Sequence, residues 1–586
     1  MRFPPILIAI LISISPAYSI DDLMIRGDVT EFANGSTLIW TPQNFAGFYY
    51  DIDKGLGSEA LMLKTKERSI PIGDAFYATY AQETRFEHGE WGLYRVLSFL
   101  GKIYFAGYSE DCKISPSWSS LGEDGVLSRV LIDSDSRQTI SGDQDLLLEE
   151  GYRLRFSDSE DGVKVALYKG SAILNTATIN PPETYVYTVP VRDRNITLIA
   201  VHVTGNVKLK PSSYYTIKGT FQISENVIDI EPGSKYGIMK VSSISGDGIS
   251  MTNFQEIDLS PNSDVDLMDG IRLKTTDSSD LTNRLYIYRN ITDPGTYEVR
   301  GPVGEVGTGM YVVNPENFAG FYYNIDDDLG AETLTMTIIG NALEMDTGVI
   351  YETVAQKKAI EFEDLGDYWT MGFLGDDYFA GYVSDRGRAW SSHLSTASDD
   401  ANLLANEELS KVLIDSAESR RIKDGGVLAL EEGLAAKFFV DNECETVFLE
   451  LYKDDNLVMR DYFRTPDTYV YTTNVGGSRN VAVLAIHIAG LDCTQDRTCV
   501  IDGVWQISAH PISVEVDTEY GKMTLQIVDA DSMRILMNND DTKIVLNKNK
   551  DQLLMDDIRI KTANQEEISA ENPLRFYVYR EAVVES

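Results

Sequence analysis

The chain has 586 residues, in which 51 Lys plus Arg stand against 91 Asp plus Glu, a formal net charge of −40. A surface this acidic repels nucleic acid and anionic lipid, so neither is an expected partner. After the first residues no apolar stretch reaches the ~20 residues needed to cross a bilayer, and four cysteines are too few for a disulfide framework, so large apolar cores must hold the fold.

In chain order, Arg2 precedes an apolar run at 6–14 and then Ala17, Tyr18 and Ser19. This order reads as a secretory signal peptide covering 1–19, which implies a secreted chain with no transmembrane segment once mature. The remainder of the chain is two copies of one unit. NFAGFYYDID from Asn44 returns as NFAGFYYNID from Asn317, and YFAGY recurs from Tyr104 and Tyr378. WSS (Trp118, Trp390), VLIDS (Val130, Val412), LEEG (Leu148, Leu430) and TYVYT (Thr184, Thr468) repeat in the same order. FQIS or WQIS (Phe221, Trp505) and IRLK or IRIK (Ile271, Ile558) complete the set. IRGDVTEF near the start matches VRGPVGEV from Val299, which sets the copies at 20–298 and 299–586.

A fainter symmetry lies within each copy. DLLLEEGYRLRF from Asp145 resembles DVDLMDGIRLKT from Asp264, and each leads to an aliphatic–Tyr–basic triplet, Leu167-Tyr168-Lys169 or Ile287-Tyr288-Arg289. The second copy repeats both, as Leu451-Tyr452-Lys453 and Val578-Tyr579-Arg580. Each copy thus reads as two linked units, and the motif order suggests that one is nested inside the other. Runs such as NITLIAVHV at 195–203 and VAVLAIHI at 481–488 alternate with period two and are rich in β-branched and aromatic residues. Gly, Asp, Asn and Ser clusters bound them. The expected class is all-β, built of antiparallel β-sandwiches, with a short helix expected at 401–413.

Candidate sites are few. Of five histidines only His202 and His487 occupy matched places, each inside an apolar strand, which points to structural roles. No HExxH, GxSxG or spaced Cys and His pairs support a zinc or serine-hydrolase reading. Glu149, Glu150, Glu431 and Glu432 in LEEG read as a solvated turn, since adjacent residues on an extended chain face opposite ways. The expectation is therefore no catalytic residue, no enzyme and no cofactor. Asp51, Asp53, Asp326, Asp327 and Asp328, with Asp158, Glu160 and Asp161, are the candidates for loop-bound structural divalent cations. Arg26-Gly27-Asp28 is read as part of the repeat, because the second copy has Arg300-Gly301-Pro302 there. Gly301, Gly304, Gly307 and Gly309 read as a flexible junction. Asn34, Asn195 and Asn290 head N-glycosylation tripeptides. Cys493 and Cys499 are expected to bridge the arms of a hairpin, with Cys112 and Cys444 left without evident partners.

Taken together, the tandem NFAGFYY(D/N)ID, YFAGY, VLIDS, LEEG and P(E/D)TYVYT motifs behind a signal peptide resemble the surface-layer (S-layer) proteins of methanosarcinal archaea. The resemblance covers essentially the whole mature chain. It implies tandem repeats of paired β-sandwiches that assemble laterally, with themselves or with paralogues, into a porous glycoprotein coat on the cell surface. Main coat members of that family look as though they continue into a polar stalk and a membrane helix, whereas this chain stops at RFYVYREAVVES. The expectation is a component without its own membrane anchor. The competing expectation is a secreted module that binds carbohydrate or envelope proteins through tyrosines such as Tyr185 and Tyr187.

Overall fold

The computed structural model describes residues 18–20, 23–115, 119–120, 125–191, 194–209, 212–246, 248–277, 283–383, 393–494 and 496–585. The apolar run of the expected signal peptide and the tryptophans Trp118 and Trp390 lie outside them. The fold is β throughout, with strands joined by short turns. The chain forms two compact units, Asp22–Thr292 and, with Met1–Asp21, Asp293–Ser586. The division falls at Thr292 and not at Glu298, because Gly295–Arg300 pairs with Arg575–Val584 of the second copy. In the first copy Leu23–Arg26 pairs in the same way with Asn283–Ile291. Arg26 lies opposite Tyr288 and Arg300 opposite Tyr579, so the matched Arg-Gly steps are edge strands that close each repeat. Tyr18–Ile20, at the expected cleavage point, pairs parallel with Ala582, Val583 and Val584.

The first copy holds two sandwiches, one threaded into the other. Its outer sandwich joins strands from both ends of the copy. One six-stranded sheet runs in the order Lys235–Tyr236, Met239–Ser245, Gly248–Asn253, Ala75–Tyr80, Ala60–Lys64, Thr37–Trp40. The facing sheet centres on Asn283–Ile291 and Ile271–Thr275. Ile249 opposite Thr79 and Met251 opposite Tyr77 tie the late strands to the early ones. Between these segments the chain builds the inner sandwich. Its sheets are Val130–Ser141, Tyr214–Ile223, Arg194–Val207, Glu183–Val191 and, facing them, Asp145–Leu147, Tyr152–Ser159, Gly162–Lys169, Ala172–Ile179. In Tyr152–Ser159, Tyr152, Leu154 and Phe156 are buried and alternate with more exposed residues, as a strand wet on one face requires.

The hairpin Leu93–Phe99 and Lys102–Tyr108 obeys a different rule, because consecutive residues in it are buried on both faces. Leu97, Phe99, Tyr104 and Ala106 enter the outer core. Tyr94, Val96, Phe105 and Tyr108 enter the inner core. Strand geometry sends neighbours to opposite faces, so this layer is shared by both sandwiches, and YFAGY is its signature. The second copy repeats the device: Met371, Phe373, Tyr378 and Ala380 face the outer core, while Tyr368, Phe379 and Tyr382 face the inner one.

Three expectations need correction. The 401–413 segment makes only the 3-10 turn Leu403–Asn406. Glu407 then takes a left-handed φ of 58°, and the chain enters strands Glu408–Leu409 and Val412–Ser416; the one described α-helix is the short His393–Ala397. The glycine-rich junction is not loose, since Gly304–Glu305 pairs with Arg575–Val584 and Gly309–Val313 with Thr333–Ile339. A Cβ on Gly304 would lie 2.7 Å from the Tyr311 ring, so that glycine is there for close packing. Finally, Cys493 is bonded to Cys444, with Cα atoms 6.4 Å apart, and not to Cys499. The hairpin of Ser478–Asp492 and Thr498–Ile507 does form. Cys499, however, sits within the ladder opposite Leu491 with its side chain in the core, whereas Cys493 lies past the ladder's end. Cys112 and Cys499 are free thiols.

Candidate functional site

The duplicated motifs converge on buried acids. Glu59, just before the strand Ala60–Lys64, is fully enclosed in the first copy. Its Oε2 accepts the Tyr49 backbone N–H at 3.1 Å, and its Oε1 accepts the Tyr77 hydroxyl at 2.8 Å and the Gly101 N–H at 2.9 Å. Arg289 closes the arrangement by donating to the carbonyls of Leu100 at 2.9 Å and Gly47 at 3.4 Å. Glu332 does the same in the second copy, with Tyr322 N–H, Tyr351 hydroxyl and Gly375 N–H each at 2.9 Å. Arg580 there donates to Gly320 and Leu374. NFAGFYY thus supplies a carbonyl and an N–H, the shared hairpin supplies the turn, and the aliphatic–Tyr–basic triplet supplies the arginine. Gly101 and Gly375 have positive φ, and a Cβ on either would strike the arginine Nη1. Burial pushes the Glu332 carboxyl up to about 7 and raises Glu59 as well, against the pull of the donors and the arginine.

VLIDS carries a second pair of half-buried acids. Asp133 accepts the Glu87 N–H and the Tyr94 hydroxyl, each at 3.0 Å, and Asp415 accepts the Glu361 N–H at 2.8 Å. Burial lifts Asp415 to about 6. LEEG is a turn, with Glu150 and Glu432 in the left-handed region. It is a clamp as well as a solvated corner. The buried Gln222 side chain bonds the Glu149 N–H and carbonyl, and Gln506 does so at Glu431. Glu150 accepts from Ser224, and Glu432 from Ser508. These acids are spent on holding neighbouring backbone and hydroxyl groups.

The acidic-loop candidates are also engaged locally. Asp51 Oδ1 accepts the N–H groups of Asp53 and Lys54. Asn324 Oδ1 does so for Asp326 and Asp327, Asp328 accepts the Tyr323 hydroxyl, and Lys358 lies 3.6 Å from Asp327. Asp158 accepts from Ser213 and Tyr215, while Glu160 and Asp161 are exposed. Arg26 and Gly27 are buried, and the Asp28 carbonyl accepts Trp40 Nε1, so this triplet is not presented as a ligand. Asn34, Asn195 and Asn290 are all exposed. Tyr185 is buried, and Tyr187 packs half-buried against the same inner core, which leaves no tyrosine platform there for a sugar. His487 stacks on Phe362 at 4.3 Å and holds Asp502. His202 stacks instead on His88 at 4.8 Å. Sequence spacing missed Glu59, Glu332 and His88; the first two stand at matched places in SEALML and AETLTM, the only signal that could have flagged them.

What the surface does offer is two exposed apolar strand edges. Ala172–Ile179 and Asn456–Arg464 are the outermost strands of the inner sandwiches. In the latter only Phe463 is buried, while Leu457, Val458, Met459 and Tyr462 are exposed, Tyr462 by 73%. Ile173 and Leu174 are exposed on the former.

The sequence model of the S-layer protein family matches residues 29–277 and 304–564, one match in each copy. The chain belongs to the S-layer protein family. It is similar to the "Major S-layer protein" of Methanosarcina acetivorans, at 27% identity over 97% of this chain and 86% of that one. It is likewise similar to the proteins of the same name from Methanosarcina barkeri, at 26% over 100% and 87%, and Methanosarcina mazei, at 26% over 97% and 83%. The family matches begin and end within the two repeats, so the shared hairpins and the buried Glu59 and Glu332 of this S-layer chain lie inside the matched segments, while the socket arginines Arg289 and Arg580 lie beyond them. No helix among the described residues is long and apolar enough to cross a membrane.

Proposed function

We propose that this chain is a structural, non-catalytic component of a cell-surface S-layer, secreted and assembled laterally with copies of itself into a porous, acidic, protective coat. Family membership supports the class. The observation that supports self-association is the apolar outermost strand Asn456–Arg464, with its counterpart Ala172–Ile179 in the first copy. An open strand edge invites pairing with another chain; Arg460 and Asp461 interrupt the apolar run of this one, but Leu457, Val458, Met459 and Tyr462 stay exposed around them, and Ala172–Ile179 carries no charge, which suits a second copy of the same chain. Exposed Asn34, Asn195 and Asn290 are the glycan positions of this reading. Copies bearing a charge of −40 repel one another, and salt shortens that repulsion to ~10 Å at 0.1 M.

Light scattering and negative-stain electron microscopy test the reading. Association should strengthen with magnesium or calcium beyond the effect of monovalent salt at equal ionic strength. Val458→Lys should weaken it. A protein that stays monomeric under every condition, alone and with other envelope proteins, would remove the coat assignment.

A further inference from the structure

The inner sandwich of the first copy contains a cluster that its twin lacks. His88, Glu90 and His202 each bring one ligand atom to within 4.8 Å of the others. His88 and Glu90 come from the segment around the 3-10 turn Gly89–Trp91, and His202 comes from the strand Arg194–Val207. His88 is enclosed, 5% exposed. Its Nδ1 lies 2.7 Å from Asp135 Oδ1, and Asp135 Oδ2 lies 3.2 Å from Lys218. Its Nε2 is buried without a hydrogen-bond partner. His202 Nδ1 lies 2.9 Å from the Thr184 hydroxyl, which also accepts Trp91 Nε1.

These facts share one chemical sense. A ring whose Nδ1–H is fixed on a carboxylate presents Nε2 as a lone pair, the arrangement in which histidine ligates metals. A buried imidazole nitrogen with no partner is costly, and a bound cation would satisfy it. We propose that His88, His202 and Glu90 form a site for a divalent transition-metal ion, with zinc the simplest fit. Two imidazoles and one carboxylate suit zinc, with a water in the fourth position, and are the wrong donors for calcium or magnesium, which take oxygen ligands. Donors around a tetrahedral ion with bonds of ~2.1 Å stand ~3.4 Å apart. The exposed Glu90 side chain can supply that closure. The ion would pin the loop after Gln82–Arg85 onto the sheet of Arg194–Val207, at a place where the second copy packs Phe362 on His487.

The second copy also supplies the control. Gly219 backs His88 and Gly503 backs Phe362, with an added Cβ 2.8 Å and 2.6 Å from the respective ring Cγ. His88→Phe therefore installs a ring that the same fold already accommodates. Chelator-treated full-length protein is titrated with cobalt(II), whose visible absorption reports tetrahedral binding. The wild type should take up one equivalent, which zinc displaces and millimolar calcium does not. His88→Phe should abolish the band while circular dichroism and thermal unfolding of the chelated protein stay unchanged. Glu90→Gln, at an exposed position, should weaken uptake at least about tenfold, and His487→Phe should leave it intact. No saturable cobalt binding by the wild type, or binding unaltered in both His88→Phe and Glu90→Gln, overturns the proposal.

Discussion

Glu332→Gln probes whether the buried acid is held at a cost. The wild-type carboxyl moves from 4.5 to about 7 on folding because burial outweighs its three donors and Arg580. The folded protein therefore binds that proton more tightly than the unfolded chain. Its contribution to stability is complete below pH 4.5 and falls as pH rises to about 7, by about 3 kcal/mol in all. The amide keeps one oxygen for Tyr351 and Gly375, but its nitrogen faces the Tyr322 N–H. A neutral acid can still accept there through its hydroxyl oxygen and an amide nitrogen cannot, so the variant loses ~1–3 kcal/mol at acid pH. As pH rises the wild type gives up its own stabilisation, and the two should converge. Native-state hydrogen exchange in denaturant, read on amides of Thr333–Ile339, measures this difference while the titrations of Glu59, Asp133 and Asp415 cancel. A gap between variant and wild type that is constant, or that widens, between pH 4.5 and 7 would refute the reasoning, since it would mean the ionised network stabilises the fold outright.

Cutting the chain between Thr292 and Asp293 should give two fragments that each unfold cooperatively, whereas a cut at Lys102 should leave no stable fold in the first copy, because it parts the shared hairpin; circular dichroism melts of the fragments distinguish these outcomes. Phe105→Ala should cost ~3–5 kcal/mol in denaturant midpoints, since Phe105 is fully buried, and a loss under about 1 kcal/mol would mean the inner core refills the space. Cys493→Ser should lose ~2–4 kcal/mol by opening a loop with a sequence separation of 49. Without reductant the native protein should yield two thiols only on unfolding, because Cys499, pushed up to about 12 by burial, resists alkylation; a third thiol would contradict the Cys444–Cys493 bridge.

Much of this architecture could be read from the residues because its physics is periodic. Period-two runs rich in β-branched residues marked strands such as those at 195–203 and 481–488, and duplicated motifs marked the two copies. YFAGY was visible as a repeat, but its meaning was not. A strand buried on both faces loses alternation, and only the partition of Phe105 from Tyr104 and Ala106 into separate cores explains it. The disulfide was misplaced for a related reason. Five residues between Cys493 and Cys499 do describe a hairpin, but which cysteine faces the core depends on register, and a one-residue step reverses it. The acid sockets and the His88 cluster join residues distant in sequence, which spacing rules cannot reach; the absence of a local zinc motif said nothing about His88 meeting His202.

The repeated side chains divide between two tasks. Phe45, Phe318, Tyr104 and Tyr378 fill cores, whereas Glu59, Glu332, Arg289 and Arg580 fix where the shared hairpin meets the outer sandwich. A core of aliphatic and aromatic residues tolerates small slips, because the hydrophobic effect has no direction. A carboxylate that receives two backbone N–H groups and a hydroxyl does not, since a shift by one residue leaves each donor orphaned in the interior. The sockets therefore specify alignment more than they add stability, and the raised Glu332 carboxyl is the expected mark of that exchange. In the lattice proposed above, an error in the angle between sandwiches would be repeated in every copy, so rigid alignment within the repeat is what that assembly would need from its interior.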